Sequence, residues 1–255
     1  MSAITGFGNR LALPDETGGF GVTDLAEFRS VQRYNGPGII SKALVNLNES
    51  GIVGSAPVTA WLNSGTGGSP YDLDVVIGTG ANLTSATEGG KTVVVSSGSV
   101  WMETTSGQTI NSPGTVFLVG RISGTPSANM NFMAPRSSSS AIWAIFTFDV
   151  SSDKFSINQG VIVRTLSEAF DNDTHIFTGQ FNGDSTTKLT VSGVGSVTGD
   201  SGPDNWDFGT LFADRAGAST VQGSISQLLV FDFALSEGEI AGVQLELLHL
   251  HEISA

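Results

Sequence analysis

From position 58 onward, β-branched and aromatic residues alternate with small polar ones between Gly, Asn and Ser clusters, the period-two pattern of half-buried strands. Thr115 to Ile122 places Val116, Leu118 and Ile122 on one face. Ala141 to Phe148 places Ile142, Phe146 and Phe148 on one face, with Trp143 and Ile145 on the other. His175 to Phe181, Lys188 to Val191 and Ser224 to Phe233 continue the series, separated by turns such as Asn182-Gly183-Asp184 and Gly199 to Asp204. Lys91 to Val95 and Val100 to Glu103 flank Ser96-Ser97-Gly98-Ser99 and predict a hairpin. Many short strands with turn chemistry between them, and no repeating helical segment, predict a sandwich or jelly roll and not an alternating α/β fold.

The periodicity changes once, at the end of the chain. Ser236 followed three residues later by Glu239 is a capping box, in which each side chain bonds the other's free backbone N–H, and Leu235 and Ile240 occupy the flanking staple positions. Ile240, Val243, Leu247 and Leu250 then recur at three- and four-residue spacing, which predicts a helix over 236–253 lying on the sandwich edge. The start of the chain follows neither period. Residues 1–55 carry scattered glycines with isolated Phe7, Phe20, Phe28 and Tyr34, and a short helix is predicted over Asp24 to Arg33, capped by Thr23 or Asp24. Apolar anchors on an irregular backbone suit a segment that lies against its own body or a neighbouring subunit. The reading is therefore an N-terminal docking arm over 1–55 and a body over 56–255, with the boundary near Gly54 to Pro57.

Composition narrows the function. A 39% hydrophobic chain of 255 residues fills a real core. A formal net charge of −13 repels phosphate backbones and anionic lipid, so neither nucleic acid nor membrane is an expected partner. With no cysteine, neither disulfides nor thiolate chemistry are available. Met1 to Leu13 has no basic n-region and no apolar core of signal-peptide length, and no run of eighteen apolar residues occurs.

Three stretches resemble the concanavalin A-like or laminin-G-like jelly rolls found in bacteriophage virion proteins and bacterial surface proteins. Val58-Thr59-Ala60-Trp61-Leu62-Asn63-Ser64-Gly65 is similar to the family's opening. His175 to Phe181 with Asn182-Gly183, then Lys188-Leu189-Thr190-Val191-Ser192-Gly193-Val194, resembles its paired strands. Gly223 to Asp232, leading into Phe233-Ala234-Leu235-Ser236-Glu237-Gly238-Glu239-Ile240, is similar to its closing strand and helix start. Asn63 stands where an Asp is common, and Ser192 where an Asn is common, so no calcium or sugar residue is carried over. The fold the resemblance implies is all-β: a two-sheet concanavalin-like sandwich with a C-terminal capping helix and an irregular arm. The function it implies is that of a non-enzymatic virion structural protein, a head decoration or cement protein or a tail or collar component. Such a protein acts in the virion through contacts with other virion proteins and with copies of itself, a trimer being the expected oligomer. The alternative is a lectin-like module that binds a cell-surface glycan.

Chemistry-bearing residues are few. Asp72-Leu73-Asp74 is the one strand-like stretch with alternate carboxylates of the kind glycoside hydrolases use, and it lacks a third acidic residue in register, so catalysis is not expected. Asp171-Asn172-Asp173, Asp200, Asp204 and Asp207 are carboxylates of the type that ligate calcium, although loop carboxylates in an acidic chain are more often simply solvated. His175, His249 and His251 are too dispersed along the chain for a zinc triad, and no metal site is assigned. No nucleophile elbow, phosphate loop or dinucleotide fingerprint occurs. Trp101 and Trp143 fall within strand patterns and are expected in the core, whereas Trp206, in a loop beside Asp204 and Asp207, is the expected glycan-stacking residue.

Overall fold

In the computed structural model of the chain, the described residues are 36–76, 83–98, 100–111, 113–123, 129–135, 146–149, 154–158, 162–164, 172–182, 186–200, 206–214 and 220–253. Phe7, Phe20, Phe28, Tyr34, the helix expected over 24–33, Trp143 and Asp204 lie outside them. In chain order the elements are α1 (Gly36–Ile40), β1 (Val45–Leu47), β2 (Ile52–Gly54), β3 (Val58–Trp61), β4 (Leu73–Val76), β5 (Thr84–Glu88) and β6 (Lys91–Ser97). Then come β7 (Trp101–Ile110), β8 (Gly114–Ile122), β9 (Met130–Ala134), β10 (Phe146–Asp149), β11 (Lys154–Asn158) and β12 (Ile162–Arg164). β13 (His175–Phe181), β14 (Thr187–Val191), β15 (Gly195–Gly199), β16 (Trp206–Leu211), β17 (Gln222–Phe231) and α2 (Glu237–Leu250) complete the chain.

The strands form a two-sheet antiparallel sandwich, the fold class expected. One sheet has eight strands in the order β15-β14-β13-β8-β17-β6-β5, with β1 also on β17, and the other has nine in the order β12-β11-β10-β9-β16-β7-β4-β3-β2. Register explains why the sheets face each other. Cross-strand partners share a face, so Val75, Met102, Leu211, Met133, Phe146, Ile157 and Val163 form one apolar row across the nine-stranded sheet from β4 to β12. Val191, Phe177, Leu118, Leu228 and Leu47 form the matching row on the other sheet. Phe177 is the hub of the interior, with ring centroids 4.9 Å from Phe155 and 5.1 Å from Phe132.

The outer face of the eight-stranded sheet carries a second core. Phe117, Val119, Ile176, Leu229 and Phe231 alternate with the inner residues and are covered by Ile39, Leu235, Ile240, Val243 and Leu247. α2 therefore lies on a sheet face and not, as expected, on the sandwich edge, because Phe117, Val119, Ile176, Leu229 and Phe231 make part of the outer face of β8, β13 and β17 apolar. Its start is as expected: Ser236 is the N-cap, its Oγ accepts from Glu239 N, and Glu239 Oε2 accepts from Ser236 N at 2.9 Å. Those bonds hold the Glu239 carboxyl below the usual carboxylate range. The helix ends at Leu250, three residues short of the expected limit.

One further expectation is corrected. β6 and β7 are not a hairpin, since β6 pairs with β5 and β17 in one sheet while β7 pairs with β4 and β16 in the other. β6 ends at Ser97 in one sheet and β7 begins at Trp101 in the other. The hairpin sits one turn earlier, where Gly89 and Gly90 take φ of 51° and 71° between β5 and β6, the left-handed pair that a two-residue hairpin turn requires. Upstream of the expected boundary, β1 pairs with β17, and β2 and β3 pair across Gly54 to Pro57.

Asn63 joins the opening segments. Its Oδ1 accepts from Asn46 N at 2.7 Å and Gly65 N at 2.9 Å, and its Nδ2 donates to Leu44 O and Gly68 O. A carboxylate accepts but cannot donate, so an amide is what this loop needs. Asp72, one of the alternate carboxylates, is engaged here as well, with Oδ1 accepting from Asn63 N at 2.7 Å. Asn63→Asp should cost about 2 kcal/mol in chemical denaturation at neutral pH by setting a carboxylate oxygen, in place of a donor, against Leu44 O and Gly68 O, with part of the loss recovered as acid protonates the new carboxyl. Ser236→Ala should cost about 1 kcal/mol through loss of the cap.

Candidate functional site

The outer face of the eight-stranded sheet changes character along its strands. On β8 the outward series runs Phe117, Val119, Arg121, and on β17 it runs back from Phe231 and Leu229 to Gln227 and Ser224, with a register shift between Ile225 and Gln227. α2 gains by covering apolar groups and gains nothing over polar ones, so it ends at this transition. Between the helix end and the polar part of the sheet lies a cavity of about 430 Å³. The β5–β6 turn contributes Glu88 and Gly89, β6 contributes Val93, and β17 contributes Ser224 and Ser226. The opposite wall is Asp173, Thr174 and His175 at the start of β13, with Ser192 and Gly193 from the β14–β15 turn. His251, Glu252 and Ile253 close it from the helix side.

Glu88 is the best-fixed carboxylate at this site. Arg121 Nη2 lies 2.5 Å from its Oε1, and Ser224 Oγ donates to its Oε2 at 2.8 Å. Cross-strand pairing sets Arg121 directly beside Ser224. Arg121 Nε is buried without a hydrogen-bond partner among the described residues. On the helix side, His251 Nε2 lies 2.9 Å from Gln227 Oε1, and Gln227 Nε2 donates onward to Asn46 Oδ1. The imidazole pKa is pushed down to about 4, first by burial and then by the nearby Lys91 ammonium, against a smaller opposite pull from Glu49. The ring is therefore neutral near pH 7. Lys91 itself is paired with Glu49 at 3.2 Å, which with the Thr92 N–H holds the Glu49 carboxyl below its ordinary value.

His175 also borders the cavity, but its ring packs 6.0 Å from Phe155 and 6.2 Å from Phe177, with Nδ1 2.8 Å from Ser192 O. The fold thus brings two of the dispersed histidines to one cavity and leaves His249 exposed. Among the described residues, no group of three His, Asp or Glu side chains is placed to hold a metal ion.

The residues expected to bind glycan are elsewhere. Trp206 and Asp207 lie in β16, paired with Ile110 and Thr109 in the nine-stranded sheet, and not in a loop, because the strand begins earlier than the acidic run suggested. Asp74 is exposed on β4, and Trp101 is half-buried against the core at the start of β7. Trp61 is fully buried and its Nε1 donates to Asn48 O at 2.8 Å. Glu88, Arg121 and Ser224 were not singled out by sequence, and His251 was weighed there only as a metal ligand. They come from four distant segments and share no local motif.

No protein-family model matches the sequence, and no curated protein matches it. Among solved structures, the chain is similar to the botulinum neurotoxin serotype D ligand-binding domain in complex with N-acetylneuraminic acid. The identity is 14%, 85% of this chain and 52% of that one are covered, and the TM-score is 0.56. It is also similar to Trypanosoma rangeli sialidase in complex with the inhibitor DANA, at 10% identity over 87% of this chain and 39% of that one, with a TM-score of 0.50. The chain spans about half the length of the toxin domain. At these identities the likeness shows the two-sheet sandwich fold alone.

His251 makes a pH dependence measurable. Its folded pKa lies below the unfolded value of about 6.5, so the unfolded chain binds the extra proton and stability falls as pH drops from 6.5 towards 4. His251→Gln, which preserves a donor towards Gln227, should flatten the melting temperature over that window relative to the parent chain. Equal slopes in both proteins would contradict a neutral, buried imidazole.

Proposed function

We propose that this chain is a non-enzymatic glycan-binding module and that the cavity beside the end of α2 is its sugar site. The observation that carries the reading is the cavity itself. Its volume falls within the range of small-ligand sites, and hydroxyls of Thr174, Ser192, Ser224 and Ser226, the Glu88 carboxylate and the His251 ring border it over the apolar Val93. Sugars are recognised by such mixtures of donors and acceptors on a rigid frame, and strands supply that frame here. Sandwich likeness to a toxin domain crystallised with N-acetylneuraminic acid supports the same reading. The virion-structural reading rests on the family resemblance and on the arm, and no described residue or structural neighbour adds to it.

Saturable binding to a subset of glycans on an array is the expected result, and an array on which nothing binds removes the reading. Thr174→Trp, which places a large ring at the cavity wall, should lower affinity by tenfold or more (about 1.4 kcal/mol or above) without changing the melting temperature. If Trp206→Ala abolishes binding and Thr174→Trp does not, the site lies on the nine-stranded sheet instead.

A further inference from the structure

The cavity has a sign. Three carboxylates border it, Glu88, Asp173 and Glu252. Among the described residues, the Arg121 guanidinium is committed to Glu88 and the Lys91 ammonium to Glu49. His251 adds no positive charge near neutral pH. The helix contributes in the same direction: α2 runs fourteen residues and ends where His251, Glu252 and Ile253 meet the cavity, which places the negative end of its dipole there. The chain as a whole carries a formal charge of −13, so the surrounding field reinforces the local one.

Among the described residues that border the cavity there is no lysine or arginine to meet the carboxylate of an acidic sugar. An ammonium group would meet carboxylates and helix carbonyls. Resting on the reading of the cavity as a glycan site, we infer that it selects amino-bearing sugars over neutral ones and neutral over acidic, so that its ligand class differs from the sialic acid held by the toxin domain of similar fold. Glu252, exposed on the helix side of the cavity, sets the discrimination. Glu88, locked between Arg121 and Ser224, supplies hydrogen-bond acceptors to any of the three.

The test is a matched series on one ring, glucosamine, glucose and glucuronic acid, with the galactose counterparts alongside. Binding of each to the full chain is measured by calorimetry at about pH 6, where an amine is charged and a uronic acid is ionised. The expected order is amine, neutral, acid, with the spread contracting at high salt. Glu252→Gln should reduce the amine-to-acid ratio about fivefold. A uronic acid that binds as tightly as the amine overturns the inference while leaving a glycan site in place, and so does a ratio that Glu252→Gln does not move. If no member of either series binds and the glycan array is also blank, the glycan reading fails and takes this inference with it.

Discussion

Strand β17 is the constraint on which the other elements depend. β8 runs along one edge of it, while β6 and β1 divide the other. Every residue but Gln222 is buried. Ile225, Leu228 and Val230 point into the space between the sheets, and Leu229 and Phe231 point the other way, under α2. A strand hydrogen-bonded on both edges and covered on both faces has to be continuously apolar where it is covered, which is what Leu228-Leu229-Val230-Phe231 supplies. Burying each such side chain is worth about 1.5–3 kcal/mol, so this run anchors both cores.

The first half of the same strand explains the cavity. At Ser224 and Gln227 the outward residues become polar, and on neighbouring β8 the outward position becomes Arg121. These groups satisfy one another, through Arg121 with Glu88, Ser224 with Glu88, and Gln227 with His251. A helix packed over them would remove that ionic cluster from solvent for no apolar gain. The helix therefore stops, and the fold keeps a polar hollow flanked by rigid strands. Function and packing meet at this point, because the side chains that would greet a sugar are the ones that set where the second core ends.

A parallel economy operates at the other end of β17. Asn46 of β1 accepts from Gln227 and from Asn48, and its backbone N–H donates to Asn63. The helix end, the central strand and the Asn63 loop are thus joined by a chain of amides, each group acting as donor or acceptor in a way a carboxylate could not copy.

Local pattern alone was sufficient for much of the fold. The period-two runs at 115–122, 175–181, 188–191 and 224–233 are strands in place because alternation along one segment reports burial directly, and Ser236 with Glu239 marks the helix start because a cap is a contact across three residues. Strand partners were not legible in the same way. The serines after β6 suit a crossover between layers as well as a hairpin, and only the position of β17 beside β6 decides between them. Nor was the cavity legible, since Glu88 and Ser224 lie 136 residues apart and Glu88 and Arg121 lie 33 apart. What the chain determined by itself was the set of elements and their buried faces, because those depend on neighbours a few residues away. The choice of partners, the covered outer face and the charged hollow at its margin belong to the tertiary structure, because each is made by side chains that meet only after both sheets have closed.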